Sequence, residues 1–250
     1  MTKKEETLQK NTFLEHLSEF RKRLTIVVVV NVVAMFICFQ FINILINYTL
    51  NVNPGMTLVY VSPSESFLVL MKTSIIVAVV LCSPITIYQI WAFVAKGLYK
   101  REKIWLVISL IIGVIFFVGG VIFSYYVVLP ITLNFFMRME LRPIKSMISF
   151  DSYISFVNTF LFSFGVVFEL PVLLVILAKF KLISYKTLIK NQGIIIVVIF
   201  IVAAIITPPD VVSQLLLGIP MVILLEISIA ACFFIEKSRV RKFKKLKAYT

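Results

Sequence analysis

The chain has 250 residues, of which 60% are hydrophobic and only 15% are charged, and its formal net charge is +13. A soluble domain of this length cannot bury so many apolar side chains, so the composition excludes an ordinary soluble globular protein and indicates a polytopic membrane protein. The basic residues are spread over several loops instead of one folded face, which argues against nucleic acid as a partner.

Six apolar segments follow one another along the chain and predict an all-α membrane protein with six transmembrane helices. We place the spans at 24–46, 67–94, 104–128, 154–178, 193–207 and 211–235, in a single membrane domain with a basic tail at 236–250. The fifth span is predicted to be short for a bilayer core about 30 Å thick, because a helix rises only about 1.5 Å per residue. Prolines within or beside spans predict bends, at Pro84, Pro130, Pro171 and Pro220.

The Lys and Arg residues predict the orientation of these spans. Most of the 25 lie in the N-terminal segment, in connectors 95–103 and 179–192, and in the tail. By the positive-inside rule both termini are then cytoplasmic, as an even number of spans requires. The same charge would attract anionic membrane lipids.

The first motif, FLEHLSEFRKRL at 13–24, places acids on a basic helix edge. Glu15 and Glu19 are i, i+4 neighbours, and Glu19 can also reach Arg23. Connector 95–103 repeats the pattern, with Glu102 as its only acid. Local sequence favours simple ion pairing for Glu102, and the alternative is one half of a site for a basic ligand. A cationic peptide could bridge the two acidic places.

Further along the chain, three polar residues inside apolar spans are candidates for a functional role: Glu169, Gln214 and Glu226. A carboxylate near the bilayer centre costs a few kcal/mol or more, so each acid should face protein or water. Each acid either binds a partner or substrate or makes a hydrogen bond between helices. Gln214 could offer its amide to a neighbouring helix.

The turn between the last two spans is TPPD. Pro208 and Pro209 predict a rigid turn, and Asp210 is expected to cap the helix that follows. No catalytic or metal site is expected, because the three cysteines lie in apolar runs and the single histidine, His16, has no nucleophile or ligand partner at a suitable spacing. No phosphate-binding glycine loop is present in the sequence either, and we expect no cofactor.

Five blocks of the sequence, in order from about 13 to 235, resemble TatC, the multispanning receptor subunit of the twin-arginine protein translocase. The blocks are HLSEFRKRL (16–24), SPITIYQIWAFVAKGLYKRE (83–102), FSYYVVLP (123–130), FSFGVVFELPV (162–172) and ITPPDVVSQLLLGIPM (206–221). The resemblance implies a cupped bundle with shortened fifth and sixth helices. It implies binding of twin-arginine signal peptides of folded cargo at the cytoplasmic face, and export driven by the proton-motive force with TatA-type and TatB-type single-span partners.

By the same resemblance, Glu19, Arg21, Phe93 and Glu102 match the residues that recognise the signal peptide. Glu169 matches a buried acid that faces the concavity, and Gln214 matches a position where partner helices dock. Asp210 matches the acid of the turn, and Phe20 departs from the family, which commonly has Leu. We expect a non-enzymatic receptor that self-associates in a larger complex. A bacterial cytoplasmic membrane is favoured because the N-terminal segment lacks the Arg-rich and Ser-rich composition of a transit peptide.

Two other functions are open to the same residues. A proton-coupled secondary transporter of small solutes would use Glu169 and Glu226, but it usually carries a repeated pair of broken helices, and no clear repeat is visible. An assembly scaffold would use its polar groups only to recruit other helices.

Overall fold

The computed structural model describes residues 3–52, 57–94, 100–139, 147–180, 182–207 and 210–247. Within these ranges it describes the backbone alone at 3–16, 91, 94, 100–103, 105–106 and 239–247. The helices are α1 (Lys3–Gln40), α2 (Ile42–Leu50), α3 (Glu65–Leu81), α4 (Ser83–Val94), α5 (Lys100–Phe123), α6 (Leu129–Arg138), α7 (Phe150–Val167), α8 (Leu170–Lys179), α9 (Tyr185–Lys190), α10 (Gln192–Ile206) and α11 (Val211–Lys247).

In the described part of the chain, four helical stretches are long and apolar enough to cross a membrane: Leu17–Gln40, Val107–Arg138, Phe150–Lys179 and Val211–Ser238. The bent pair Glu65–Leu81 and Ser83–Ile90, in α3 and α4, is a fifth candidate if the two helices form one span. The apolar helix α10 has only 15 residues, so it is about 22 Å long and shorter than a bilayer core. The fifth span is therefore short, as its sequence indicates.

Three of the four prolines named above lie at or beside a break in a helix. The axis bends by 56° between α3 and α4, just before Pro84. A π-helical segment, Ser124–Val128, precedes Pro130, and the turn at Phe168 and Glu169 precedes Pro171. Proline has no N–H for the i−4 carbonyl and its ring crowds that turn, so the helical ladder is interrupted there. By contrast, α11 continues through Pro220, and α1 ends at Gln40 with no proline nearby.

Two connectors meet at the end of the bundle where α3 and α7 begin, which we call the capped end. Strand β1 (Leu58–Val59) pairs in parallel with strand β2 (Ile148–Ser149), a short sheet that helical periodicity did not predict. The buried Glu65 carboxylate joins the same two connectors, accepting hydrogen bonds from the N–H groups of Val61, Ser62 and Asp151 and from the hydroxyl of Ser149. Lys72 pairs with Asp151 at 2.7 Å nearby.

Helix α7 lies at the centre of the bundle and packs against both α3 and α5. Its Phe160 and Phe164 side chains are almost completely buried, and the Asn158 amide donates to the Thr73 hydroxyl of α3 at 3.0 Å. Helices α8 and α10 pack against α11, and α8 also contacts α5. The core thus continues from one end of the chain to the other through α7 and α8.

Glycines allow α5 and α7 to approach closely. A Cβ added to Gly120 would overlap the carbonyl oxygen of Phe164, and one added to Gly165 would lie 2.8 Å from the Phe117 ring. The contact therefore depends on the absence of a side chain at these two glycines, since even a methyl group there requires a neighbouring group to move.

This contact gives a prediction with a control at the adjacent residue. Gly120→Ala should lower the free energy of unfolding by about 1–3 kcal/mol, the usual cost of overpacking. Gly119→Ala should leave it unchanged or raise it by up to about 1 kcal/mol, because its Cβ meets nothing within 4 Å and Ala is the better helix former. Unfolding titrated with dodecyl sulfate in mixed micelles measures both, and equal effects of the two substitutions would contradict the close contact.

Candidate functional site

Helices α1 and α4 meet at the end of the bundle opposite the capped end, which we call the basic end after Arg21, Lys22 and Arg23 of α1. Two aromatic rings join the helices there. The rings of Phe20 and Phe93 make an edge-on contact with centroids 5.7 Å apart and planes at 66°. Phe93, predicted as a site residue, thus packs on a side chain that adjoins Glu19 in α1.

The carboxylate of Glu19 holds an arginine of the same chain. The Nε and Nη2 atoms of Arg23 donate to Glu19 Oε1 at 2.9 and 2.7 Å, and Nη1 donates to Gln89 Oε1 of α4 at 2.9 Å. The side chains of Glu19 and Arg23 are only 10% and 22% exposed. This pair is more shielded from solvent than an ordinary surface ion pair, so its attraction is screened less by water and salt.

Gln89 is the member of this cluster that sequence reasoning missed. The i, i+4 spacing of Glu19 and Arg23 signals their contact, but Gln89 lies 66 positions from Arg23 in the chain and no local pattern marks it. Its carbonyl oxygen gives the guanidinium a neutral acceptor beside the charged one.

Arg21 and Glu102 are the other two predicted recognition residues, and they lie on different helices. Arg21 is exposed and lies two positions from both Glu19 and Arg23, which is about 200° around a helix, so α1 directs it to the opposite side. Glu102 lies in the first turn of α5, and its side chain is outside the described residues. Because α4 packs against both α1 and α5, the helix that carries Glu102 adjoins the helix that carries Gln89 and Phe93.

Glu169 occupies the turn between α7 and α8 and is half-buried. Its Oε1 atom is enclosed and has no hydrogen-bond partner in the described part of the chain. Its carboxylate lies directly against α5, since a Cβ added to Gly113 would be 2.9 Å from Oε2. An apolar cavity of about 410 Å³ is lined by Pro171, two positions from Glu169, by Ile112 and Phe116 and by residues of α11, although Glu169 is not one of the lining residues.

The polar groups of the last two helices are engaged within the chain. The Gln214 amide donates to the Phe200 carbonyl of α10 at 3.0 Å, and the exposed Glu226 carboxylate accepts a hydrogen bond from Gln192 at the start of α10. Asp210 accepts from the Ser213 N–H at 2.6 Å, which is the helix cap that its sequence position predicts. Pro208 and Pro209 lie outside the described residues.

The chemistry of the basic end is that of binding. Carboxylate and amide oxygens here accept hydrogen bonds from a guanidinium, and the contact between Phe20 and Phe93 joins the same two helices. Among the described residues, no three His, Cys, Asp or Glu side chains lie close enough to hold a metal ion, and the three cysteine thiols are free and buried.

Comparisons with known proteins agree over most of the chain. The family model described as Sec-independent protein translocase protein (TatC) matches residues 15–220. A TatC protein of Carboxydothermus hydrogenoformans is 39% identical over 90% of this chain and 94% of its own length. One from Helicobacter pylori J99 is 43% identical over 86% of each chain. A crystal structure titled twin arginine translocase receptor TatC superposes with a TM-score of 0.80 at 34% identity, covering 88% of this chain and 99% of that one.

The aromatic contact at the basic end gives the second prediction. Replacing Phe20 and Phe93 by Leu, singly and together, should reveal a coupling of about 0.5–1.5 kcal/mol in the free energy of unfolding, because an edge-on ring pair stabilises beyond the area it buries. A double-mutant cycle in mixed micelles measures this coupling. Single effects that add to within about 0.3 kcal/mol would show that the rings do not interact.

Proposed function

The chain belongs to the TatC family of Sec-independent protein translocase proteins, and from that membership we propose that it is the receptor for twin-arginine signal peptides. It is a multi-pass membrane protein and a translocase component rather than an enzyme. In the proposal, it binds the signal peptides of folded cargo at the cytoplasmic face of a bacterial cytoplasmic membrane, where both of its termini lie. TatA-type and TatB-type partners then complete export, driven by the proton-motive force.

The observation that supports this receptor function best is the cluster at the basic end. Glu19 of α1 and Phe93 of α4 come from blocks distant in sequence, and the two helices meet through the hydrogen bonds of Arg23 to Glu19 and Gln89 and through the contact of Phe20 with Phe93. A site that already holds an arginine side chain has the acceptors that a peptide arginine needs. In the proposal, Glu102 supplies a second carboxylate from the first turn of α5, and Arg21 contacts the peptide from the other side of α1.

The proposed partner surface involves the bundle interior and the last two helices. Glu169 has an enclosed oxygen without a hydrogen-bond partner in the described part of the chain, and Pro171 nearby in sequence lines an apolar cavity that extends to α11. Such a carboxylate gains most from a ligand or helix that brings a polar group to its enclosed oxygen. In the proposal, Gln214 lies where a partner helix docks beside α10. Within the chain, its amide donates a hydrogen bond to the Phe200 carbonyl of α10. Self-association in a larger complex remains part of the proposal.

The third prediction tests recognition of the peptide. Glu102→Ala should weaken binding of a twin-arginine peptide by about 10–100-fold, the loss expected for a hydrogen bond to a charged group. Binding is measured by fluorescence anisotropy on the whole chain in lipid nanodiscs. Glu102→Gln removes the carboxylate but keeps the size and shape of the side chain. Glu226→Gln makes the same change at a site distant from the basic end and serves as the control. Equal affinity of wild type and Glu102→Ala would refute the proposed role of Glu102.

The fourth prediction tests the partner surface. A photocrosslinker at position 214 should capture a TatA-type or TatB-type single-span protein in membranes that contain both. The same crosslinker at Leu182, an exposed residue between α8 and α9, serves as the control. Equal capture from both positions would remove the assignment of Gln214 to a partner interface.

A further inference from the structure

Arg23 occupies the carboxylate that the proposed receptor would offer to a peptide arginine. We propose that Arg23 is an internal competitor for Glu19, which a peptide guanidinium must displace and a peptide ammonium cannot. Arg23 is thereby a residue that determines specificity for arginine. This inference rests on the proposed function and deepens it.

Competition follows from the charge of the pair. The Glu19 carboxylate is only 10% exposed and already accepts two hydrogen bonds from one cation. A second cation brought to the same mostly buried carboxylate would add an uncompensated positive charge in surroundings of reduced dielectric. Binding to Glu19 therefore requires Arg23 to withdraw.

The structure gives Arg23 a way to withdraw. Its Nη1 atom bonds to Gln89 of α4, so the guanidinium keeps one acceptor when it leaves Glu19. The Arg23 side chain is 22% exposed, which lets water take up the donors that Glu19 releases. The contact between Phe20 and Phe93 joins α1 to α4 independently of the arginine. Displacement thus leaves the two helices packed.

The geometry of the internal contact explains why arginine would succeed and lysine would fail. Both bonding nitrogens of Arg23 converge on a single carboxylate oxygen, Oε1, and do not form the parallel fork in which each nitrogen meets its own oxygen. A peptide arginine that adopts the parallel fork makes the stronger bidentate contact and can displace Arg23. An ammonium is a strongly hydrated point charge without this fork, so it cannot.

The test compares Arg23→Gln with Lys22→Gln, which removes an equal charge from the adjacent exposed residue. Each variant of the whole chain, in lipid nanodiscs, is titrated with fluorescent peptides that carry either two arginines or two lysines. We expect Arg23→Gln to bind the lysine peptide about tenfold more tightly than Lys22→Gln does, a difference of about 1.4 kcal/mol. The affinity for the arginine peptide relative to the lysine peptide should fall as well, because the arginine peptide already displaces Arg23 in the wild type and gains less from its removal.

Arg23→Lys provides a second variant at constant charge. Lysine is the weaker competitor, so the affinity ratio should fall in this variant too, although the net charge is unchanged. The variant also carries the test if Arg23→Gln fails to fold, as judged by gel filtration and thermal unfolding.

The outcomes separate this inference from the proposed function. Normal wild-type binding of the arginine peptide, with an unchanged affinity ratio in the Arg23 variants, overturns the inference alone. So does an equal loss of affinity for both peptides, because it shows that Arg23 only positions Glu19. Failure of the wild-type chain to bind the arginine peptide overturns the proposed function and this inference together.

Discussion

The close approach of α5 and α7 is the contact on which the rest of the molecule depends. Gly120 and Gly165 let the two backbones meet, and on the same side of α5 Gly113 leaves room for the Glu169 carboxylate. The first turn of α5 carries Glu102, so this packing also fixes that end of α5 relative to α1 and α4. Helix α5 therefore fixes the position of Glu169 relative to the cluster at the basic end, because closely packed protein interiors resist local deformation.

The sequence predicted the parts of this fold that follow from local chemistry. Apolar runs indicated the helices, prolines marked three of their interruptions, and Asp210 marked a helix start. It could not predict contacts between distant segments, because no local pattern encodes them. The pairing of Leu58–Val59 with Ile148–Ser149 and the bond from Arg23 to Gln89 are of this kind. The interruption at Phe41 has no local signal that we can identify.

Among the three polar residues that the sequence singled out within the spans, two make a hydrogen bond to another helix and one has an oxygen without a partner in the described part of the chain. Glu226 ties α11 to the start of α10 through Gln192, and Gln214 ties it to the middle of α10 through the Phe200 carbonyl. Such bonds contribute about 0.6–2 kcal/mol each in membranes. Glu169 differs, since one of its oxygens is enclosed without a hydrogen-bond partner among the described residues. A bond between helices thus accounts for Glu226, while Glu169 remains the stronger candidate for an intermolecular role.

The polar ties at the capped end have a mechanical consequence. Glu65 and the paired strands fasten two connectors at that end, so it acts as a pivot for the helices that leave it. Helix α3 begins at this end, and its 17 residues make it about 25 Å long before it leads into α4, which carries Gln89. A rotation of about 5° at the pivot then displaces the far end of α3 by about 2 Å, enough to make or break a hydrogen bond. Small angular changes at the pivot are therefore large enough to rearrange the hydrogen bonds around Arg23.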